Sequence, residues 1–466
     1  MITRRRFLAG LGGAALTLGG AALWFARSRP APVMPPADQI AADVRSELLR
    51  AWRAYERLAW GHDELKPLSG GHQEFFNRGH PVGLTIAEAL DTLYVMGLDA
   101  ELDASVRWIE TQLELDIDAP VQVFETVIRM LGGLLAGHLA TQNRTLLAKA
   151  RELADRLLPA FTTSPTGMPY RFVNLHSGAV STPANYVAEV GTNLAEFGIL
   201  SRLVGDDRYL KVAKQAARAV YDRRSTLDLL GTTIDVETGG WLDALSVGPQ
   251  PPVDSYYEYL YDGYRLFGDA DLLAWFTTLT AGLQRRQWDE VAGRGWYRQV
   301  QFQSGTQLNT YESSLAAFWA GSLGEAGMRK EADQVLEAFR SVLDRYGLLP
   351  EQFDYSDMSI RDPGHQLRPE YADSCLALFI TSGGSDLYRR RAYQLYQAMK
   401  SYCRVPNGYT IIDDITARPM SLGDLTPAYW FAENMKYFYL LFAESPRFDY
   451  KHNYLSTEGK ILVGLR

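Results

Sequence analysis

The chain has 466 residues, 47% of them hydrophobic and 22% charged, with a formal net charge of −8 and a pI near 5.5. That length allows a large core, and the composition is that of an ordinary soluble globular protein. No Lys/Arg block lies outside the extreme N-terminus, which excludes nucleic acid as the main partner, because neutralising phosphates needs a clustered basic face. Two cysteines, Cys375 and Cys403, provide neither a disulfide framework nor a thiolate metal cage. Each sits in an apolar helical stretch, where a free buried thiol is expected.

Residues 3–8 read Thr-Arg-Arg-Arg-Phe-Leu, an apolar Gly/Ala-rich run extends from Ala9 to Ala26, and Arg27-Ser28-Arg29-Pro30 follows. This pattern resembles a bacterial twin-arginine export signal. The plainer alternative is a membrane anchor with positive flanks, since the run is nearly long enough to span a bilayer. No cysteine follows the run, which excludes a lipoprotein. Residues 1–36 are therefore set apart as signal or anchor. The body, 37–466, is expected to be exported to the periplasm already folded, and an uncleaved signal would tether it to the inner membrane.

From Ala37 onward apolar residues recur at helical spacing. A polar turn followed by an amphipathic helix returns at Asn143-Arg144-Thr145, Gly205-Asp206-Asp207, Gly268-Asp269-Ala270, Gly327-Met328-Arg329 and Gly384-Ser385-Asp386. The period is roughly 60 residues, two helices and their loops, which predicts about seven helical hairpins in one domain. Long, uneven loops at 162–183, 231–252, 354–369 and 407–427 suit a closed toroid with its loops on one rim better than an open solenoid. Short β ribbons are expected at Met168–Val173 and Gly408–Ile412.

Three isolated acids stand beside such loops. Glu125 has a bland reading as a solvated partner of Arg129 at i+4. Asp254 could merely begin a helix, with Ser255-Tyr256-Tyr257-Glu258 as a capping box. Glu370 after Pro369 is good helix-start chemistry. In a toroid, however, helix starts gather around the central hole, and there the three carboxyl groups converge in one pocket. Thr457, in Ser456-Thr457-Glu458, is either a polar turn near the C-terminus or a ligand offering carbonyl and hydroxyl oxygens to a hard cation.

Together these segments resemble glycoside hydrolase family 47, the calcium-dependent α-1,2-mannosidases. The carriers run from Trp60-Gly61-His62-Asp63-Glu64-Leu65 and Ala89-Leu90-Asp91-Thr92-Leu93-Tyr94 through Phe124-Glu125 to Arg129 with Gly132-Gly133. They continue through Asp254-Ser255-Tyr256-Tyr257-Glu258, Leu367-Arg368-Pro369-Glu370 and Glu433-Asn434-Met435-Lys436-Tyr437 to Ser456-Thr457-Glu458. The resemblance implies an all-α (α/α)7 barrel and a monomeric, inverting, exo-acting mannosidase on mannose-containing oligosaccharides. By position, Glu125 matches the family's general acid, Glu370 its general base and Asp254 its third pocket acid. Thr457 matches the ligand of Ca2+, the implied cofactor, which would bind hydroxyls of the terminal mannose. Arg129, Arg368, Glu433 and Glu458 match residues holding the sugar, the acids or the ion's waters, and Tyr429 an aromatic under the sugar. A non-catalytic mannose-binding relative and another toroid enzyme, an epimerase or lyase, are the alternatives.

The departures are local. Asp373 stands where the family has Glu, and Pro252 where several eukaryotic members have Arg. Asn309-Thr310-Tyr311-Glu312-Ser313 replaces the family's cysteine-bearing stretch, so its disulfide is absent. These changes bear on branch preference rather than on the reaction, and a scavenging role on host or environmental mannosides is expected.

Overall fold

Each hairpin turns on local chemistry. Asn143, Asp269 and Ser385 accept backbone N–H bonds from the helices they precede, Arg144–Leu157, Ala270–Arg286 and Asp386–Tyr402, and so satisfy amides that have no partner within the helix. Gly268, before Asp269, and Gly205, before Arg208–Tyr221, take φ of +68° and +69° to end Asp254–Phe267 and Leu194–Val204. A side chain is strained in that conformation. These are the turns at which the sequence pattern repeats.

The computed structural model describes Met34–Arg466. The arginine pair and apolar run of the N-terminal segment lie outside the described residues. Among the described residues the helices form two concentric rings. The outer ring is Ala37–Leu58, Asp99–Gln112, Arg144–Leu157, Arg208–Tyr221, Ala270–Arg286, Arg329–Tyr346 and Asp386–Tyr402. The inner ring is 84–95, 123–141, 187–204, 254–267, 314–325, 370–381 and 430–442. Each inner segment packs on the outer helix that follows it, and the seventh pair joins the two ends of the chain, Ala37–Leu58 against Met435–Phe442. Trp52 meets Phe431 edge-on there, at 5.7 Å between ring centroids. The result is an (α/α)7 barrel.

The rings differ in composition for a physical reason. Outer helices bury one stripe: Arg208–Tyr221 buries Tyr209, Ala213, Ala216, Ala217 and Val220, the spacing of a half-exposed helix. Inner helices pack on both sides. Val123–Thr141 is apolar and long enough to cross a membrane, yet it is an inner barrel helix and mostly buried. Its Gly133 passes so close to the neighbouring segment that a Cβ would lie 2.4 Å from the Ala87 carbonyl oxygen. Gly133→Ala is expected to cost about 3 kcal/mol through this clash, read as a lower midpoint in chemical denaturation. Cys375 and Cys403 are buried and free.

Connections from inner to outer helices are short turns. The four long loops all run from an outer helix to the next inner one, so they share the rim at which the inner helices start. Among the described residues nine small antiparallel sheets lie in these and the other outer-to-inner connections and near the C-terminus. Phe172–Asn174 pairs with Pro120–Gln122 and Val180–Ser181. Gly408–Tyr409 pairs with Arg404–Val405, and Ile412–Asp414 joins a separate ribbon with Ser421–Leu422. The other ribbons were not expected, because strands of two to four residues are too short to show an alternating pattern.

Candidate active site

Glu125, Asp254 and Glu370 each lie in the first turn of an inner helix. The common rim therefore brings together acids far apart in sequence. They line one open-mouthed cavity of about 990 Å³, counting the solvent-open space at its mouth, and Arg129, Arg368, Tyr429, Glu433, Thr457 and Glu458 line it too. All nine residues selected from the sequence meet there. One local expectation is corrected: Ser255 does not cap. The helix begins at Asp254 without a side-chain cap, and the Ser255 hydroxyl instead accepts from Thr192 Oγ1 at 2.9 Å.

Arg129 lies on a π-helical turn, Thr126–Leu131, and Glu433 on a second, Trp430–Asn434. Such widened turns often accompany functional sites. The i+4 pair exists, with Arg129 Nε 2.6 Å from Glu125 Oε2, but the guanidinium is buried and the carboxyl half-buried rather than solvated. The same guanidinium donates to Glu458 at 2.7 Å and lies 3.5 Å from Glu88. Phe75 and Tyr429 cover it at 5.2 and 5.5 Å. Glu125 is thus held in one orientation by a shared cation.

Arg368 pairs with Glu351 at 3.0 Å and lies 5.8 Å from the Tyr429 ring. The buried Leu367 before it has φ of +59°, a strained conformation for a branched side chain. It aims Arg368 and Glu370 into the cavity from the end of a long loop. The Tyr429 hydroxyl donates to the Gln366 carbonyl, which presents the ring face to the cavity.

Thr457 sits between the paired strands Tyr454–Leu455 and Ile461–Val463. Two buried lysines hold this tip. Lys436 Nζ donates to Asp91 at 2.7 Å and to the Gly459 carbonyl at 2.6 Å. Lys460 Nζ donates to Glu88 at 2.9 Å. Glu88, Lys460 and Glu351 were not singled out from the sequence. The available signals were charges beside or inside apolar runs, at Glu88 in Ile86-Ala87-Glu88-Ala89-Leu90 and at Lys460 before Ile461-Leu462-Val463.

Besides the five acids already named, Glu189, Glu258 and Asp373 line the cavity, so eight carboxyl groups face two guanidiniums. Burial pushes Glu370 and Asp373 up to about 8, Glu458 to about 7 and Asp254 to about 6. Arg368 opposes the rise at Glu370 and Asp254, and Arg129 opposes it at Glu458. Burial also holds Glu258 and Glu433 well above the carboxylate range. One oxygen each of Glu258 and Glu370 is buried without a hydrogen-bond partner, and Thr457 and Glu258 line the same cavity. An all-oxygen donor set with excess negative charge and unpartnered oxygens fits a hard divalent cation.

Glu312, outside the cavity, shows what burial alone does. It is pushed up to about 8, and the Tyr297 and Ser313 amides only partly oppose this. The fold therefore holds a proton that the unfolded chain releases near pH 4.5. Its contribution is intact below that pH and is lost as pH rises through about 8. The loss is at most about 1.4 kcal/mol per pH unit. Glu312→Gln is expected to flatten the fall in melting temperature between pH 5 and 8, as measured by calorimetry.

The model of "Glycosyl hydrolase family 47" matches residues 47–463. Alpha-mannosidase I MNS5 of Arabidopsis thaliana is 34% identical over 450 residues, covering 90% of this chain and 76% of that protein. Mannosyl-oligosaccharide 1,2-alpha-mannosidase IB of Mus musculus is 31% identical, covering 91% and 69%. The solved alpha-1,2-mannosidase from Trichoderma reesei superposes with a TM-score of 0.83 at 23% identity, over 92% of this chain and 99% of that one, a likeness of fold. With the family pattern spanning nearly the whole barrel and its charged residues gathered at one rim, the chain belongs to glycosyl hydrolase family 47.

Proposed function

We propose that this protein is an inverting, exo-acting, calcium-dependent α-1,2-mannosidase that removes terminal α-1,2-linked mannose from high-mannose glycans or mannosides. The observation that carries this reading is the convergence of nine residues from five separate stretches of the chain in one acidic cavity. Glu370 acts as general base and takes a proton from the attacking water. Glu125, oriented by Arg129, protonates the leaving oxygen through a water. Acid and base on opposite faces of the sugar, with a water between base and anomeric carbon, give inversion. Asp254 is the third acid, and Arg368 and Glu433 hold the sugar or the waters around it. Tyr429 packs under the ring.

Thr457 would hold Ca2+ through its carbonyl and hydroxyl oxygens, with waters held by the surrounding carboxylates, including Glu458. When bound, the ion supplies charge that polarises and positions sugar hydroxyls. Pro252 and Asp373 shape the cavity wall where relatives differ, and they set branch preference. The N-terminal arginines and apolar run support export to the periplasm, with tethering if the run is retained, and the enzyme acts as a monomer.

The test is NMR of the first-formed sugar from α-1,2-mannobiose. β-Mannose is expected first. First-formed α-mannose would overturn inversion, and binding of the disaccharide without release of mannose would make the protein a lectin.

A further inference from the structure

One cluster of metal-ligating side chains lies outside the acidic cavity and has no part in the proposed reaction. His62 precedes, and Glu74 follows, the hairpin formed by Glu64–Lys66 and Gly71–Gln73, and His72 lies on its second strand. The register Glu64↔Gln73 and Leu65↔His72 draws the flanking His62 and Glu74 together. His62 Nδ1 is 2.6 Å from Glu74 Oε1, and His72 Nδ1 is 3.6 Å from the same oxygen. The two imidazoles stack with centroids 3.4 Å apart and planes 15° apart. All three donor atoms lie within 4.8 Å of one another.

The supporting geometry suits an ion. The second oxygen of Glu74, Oε2, accepts from the Asp63 amide at 3.2 Å, which leaves Oε1 facing the two ring nitrogens. The Glu74 side chain is only 10% exposed, whereas His62 and His72 are 35% and 41% exposed, so the carboxylate is shielded while the open side meets solvent. In a tetrahedral site with bonds of about 2.05 Å, donor atoms lie about 3.3 Å apart. The observed 2.6 and 3.6 Å bracket that value, and the two partly exposed rings have room to turn out of their stack so that each in-plane lone pair meets the ion. Without an ion, His62 and Glu74 share a hydrogen bond, and His72 is held chiefly by stacking on His62.

We propose that His62, His72 and Glu74 form a second metal site, for a borderline divalent cation of the Zn2+ class. Two imidazoles and one carboxylate suit zinc, cobalt, nickel or copper, whereas calcium takes oxygen ligands. Three protein ligands leave a coordination position open to water or a ligand. The ion would tie both ends of a hairpin whose next residue, Phe75, donates its amide to Asp63 at 2.9 Å and covers Arg129. The site is thus one residue away from the wall that holds Glu125 in place.

The experiment uses the full chain without a histidine tag, in excess Ca2+ so that the oxygen-lined cavity is saturated. Zn2+ is titrated by calorimetry and Co2+ by visible absorption. One saturable zinc equivalent is expected, with a cobalt spectrum of low coordination number and nitrogen ligation. His72→Ala and His62→Gln are expected to weaken zinc binding at least about tenfold, with metal-free melting temperatures matching the wild type because both rings are partly exposed. Glu74→Gln is a third variant that retains both rings. Absence of saturable zinc uptake in the wild type overturns the proposal. So does equal affinity in all three variants, which would mean an adventitious ion only.

Discussion

Glu370→Gln is expected to lower kcat by roughly 10²–10⁴-fold, the range of a lost general base, while the fold remains intact. The amide has the shape of the carboxyl but cannot accept the proton of the attacking water. The fold should tolerate it because burial already pushes Glu370 up to about 8, so the cavity wall favours a neutral group at this position. Glu125→Gln should lose activity on the same scale but also some stability. Its carboxyl oxygen accepts the 2.6 Å bond from Arg129, and weakening that bond leaves a buried guanidinium with Glu458 and Glu88 alone. That costs about 1–3 kcal/mol. Steady-state kinetics with a parallel thermal melt separate the two effects. Wild-type turnover by either variant would remove that residue from the proposed chemistry.

Chelation should have the second large effect. EDTA is expected to abolish hydrolysis, and Ca2+ to restore it. Eight carboxyl groups against two guanidiniums cannot all ionise in a buried cavity. Without a cation, burial favours the protonated form of Glu370, which weakens it as a base. A divalent charge beside Thr457 favours the ionised form, so removing it takes away both the ion's chemistry and the base. The same linkage sets the pH dependence of binding. Glu458 and Glu370 hold protons up to about 7 and about 8, and calcium must displace them. Apparent calcium affinity therefore rises as pH goes from about 6 to 8 and falls below that window, as titration calorimetry at several pH values would show. Saturation at a hundredfold excess over Kd should stabilise the fold by about 2.7 kcal/mol. Full activity after exhaustive chelation, at any pH, would sink the calcium reading.

Much of the barrel was legible from its turns. Asn143, Gly205, Gly268 and Ser385 mark helix ends by local conformational chemistry, which operates within a few residues and so survives in a linear reading. The ribbons were less legible, because pairs such as Trp288–Val291 with Arg294–Tyr297 are defined by a partner rather than by their own pattern. The site divides the same way. Glu125, Asp254 and Glu370 stand out as acids at helix starts beside long loops. Glu351, Glu88 and Lys460 do not, because each is explained only by a partner distant in the chain: Arg368 for the first, and one another for the last two.

Ser255 marks the limit of local inference. The run Ser255-Tyr256-Tyr257-Glu258 carries the spacing of a capping box, yet the hydroxyl is taken by Thr192 from the neighbouring inner helix, and Glu258 points a buried oxygen into the cavity. A cap contributes about 1 kcal/mol, and packing between inner helices outweighs it.

The residues alone determined the helical period, the hairpin count, the acids and threonine of the site, and the family pattern, because these follow from side-chain type and spacing along the chain. Only the closed ring decided that the acids share one cavity, that Arg129 serves Glu125 and Glu458 at once, and that buried lysines brace the Thr457 tip. Those are through-space charge interactions in a medium of low dielectric. Their strength depends on burial and distance, neither of which exists until the first and last helices meet.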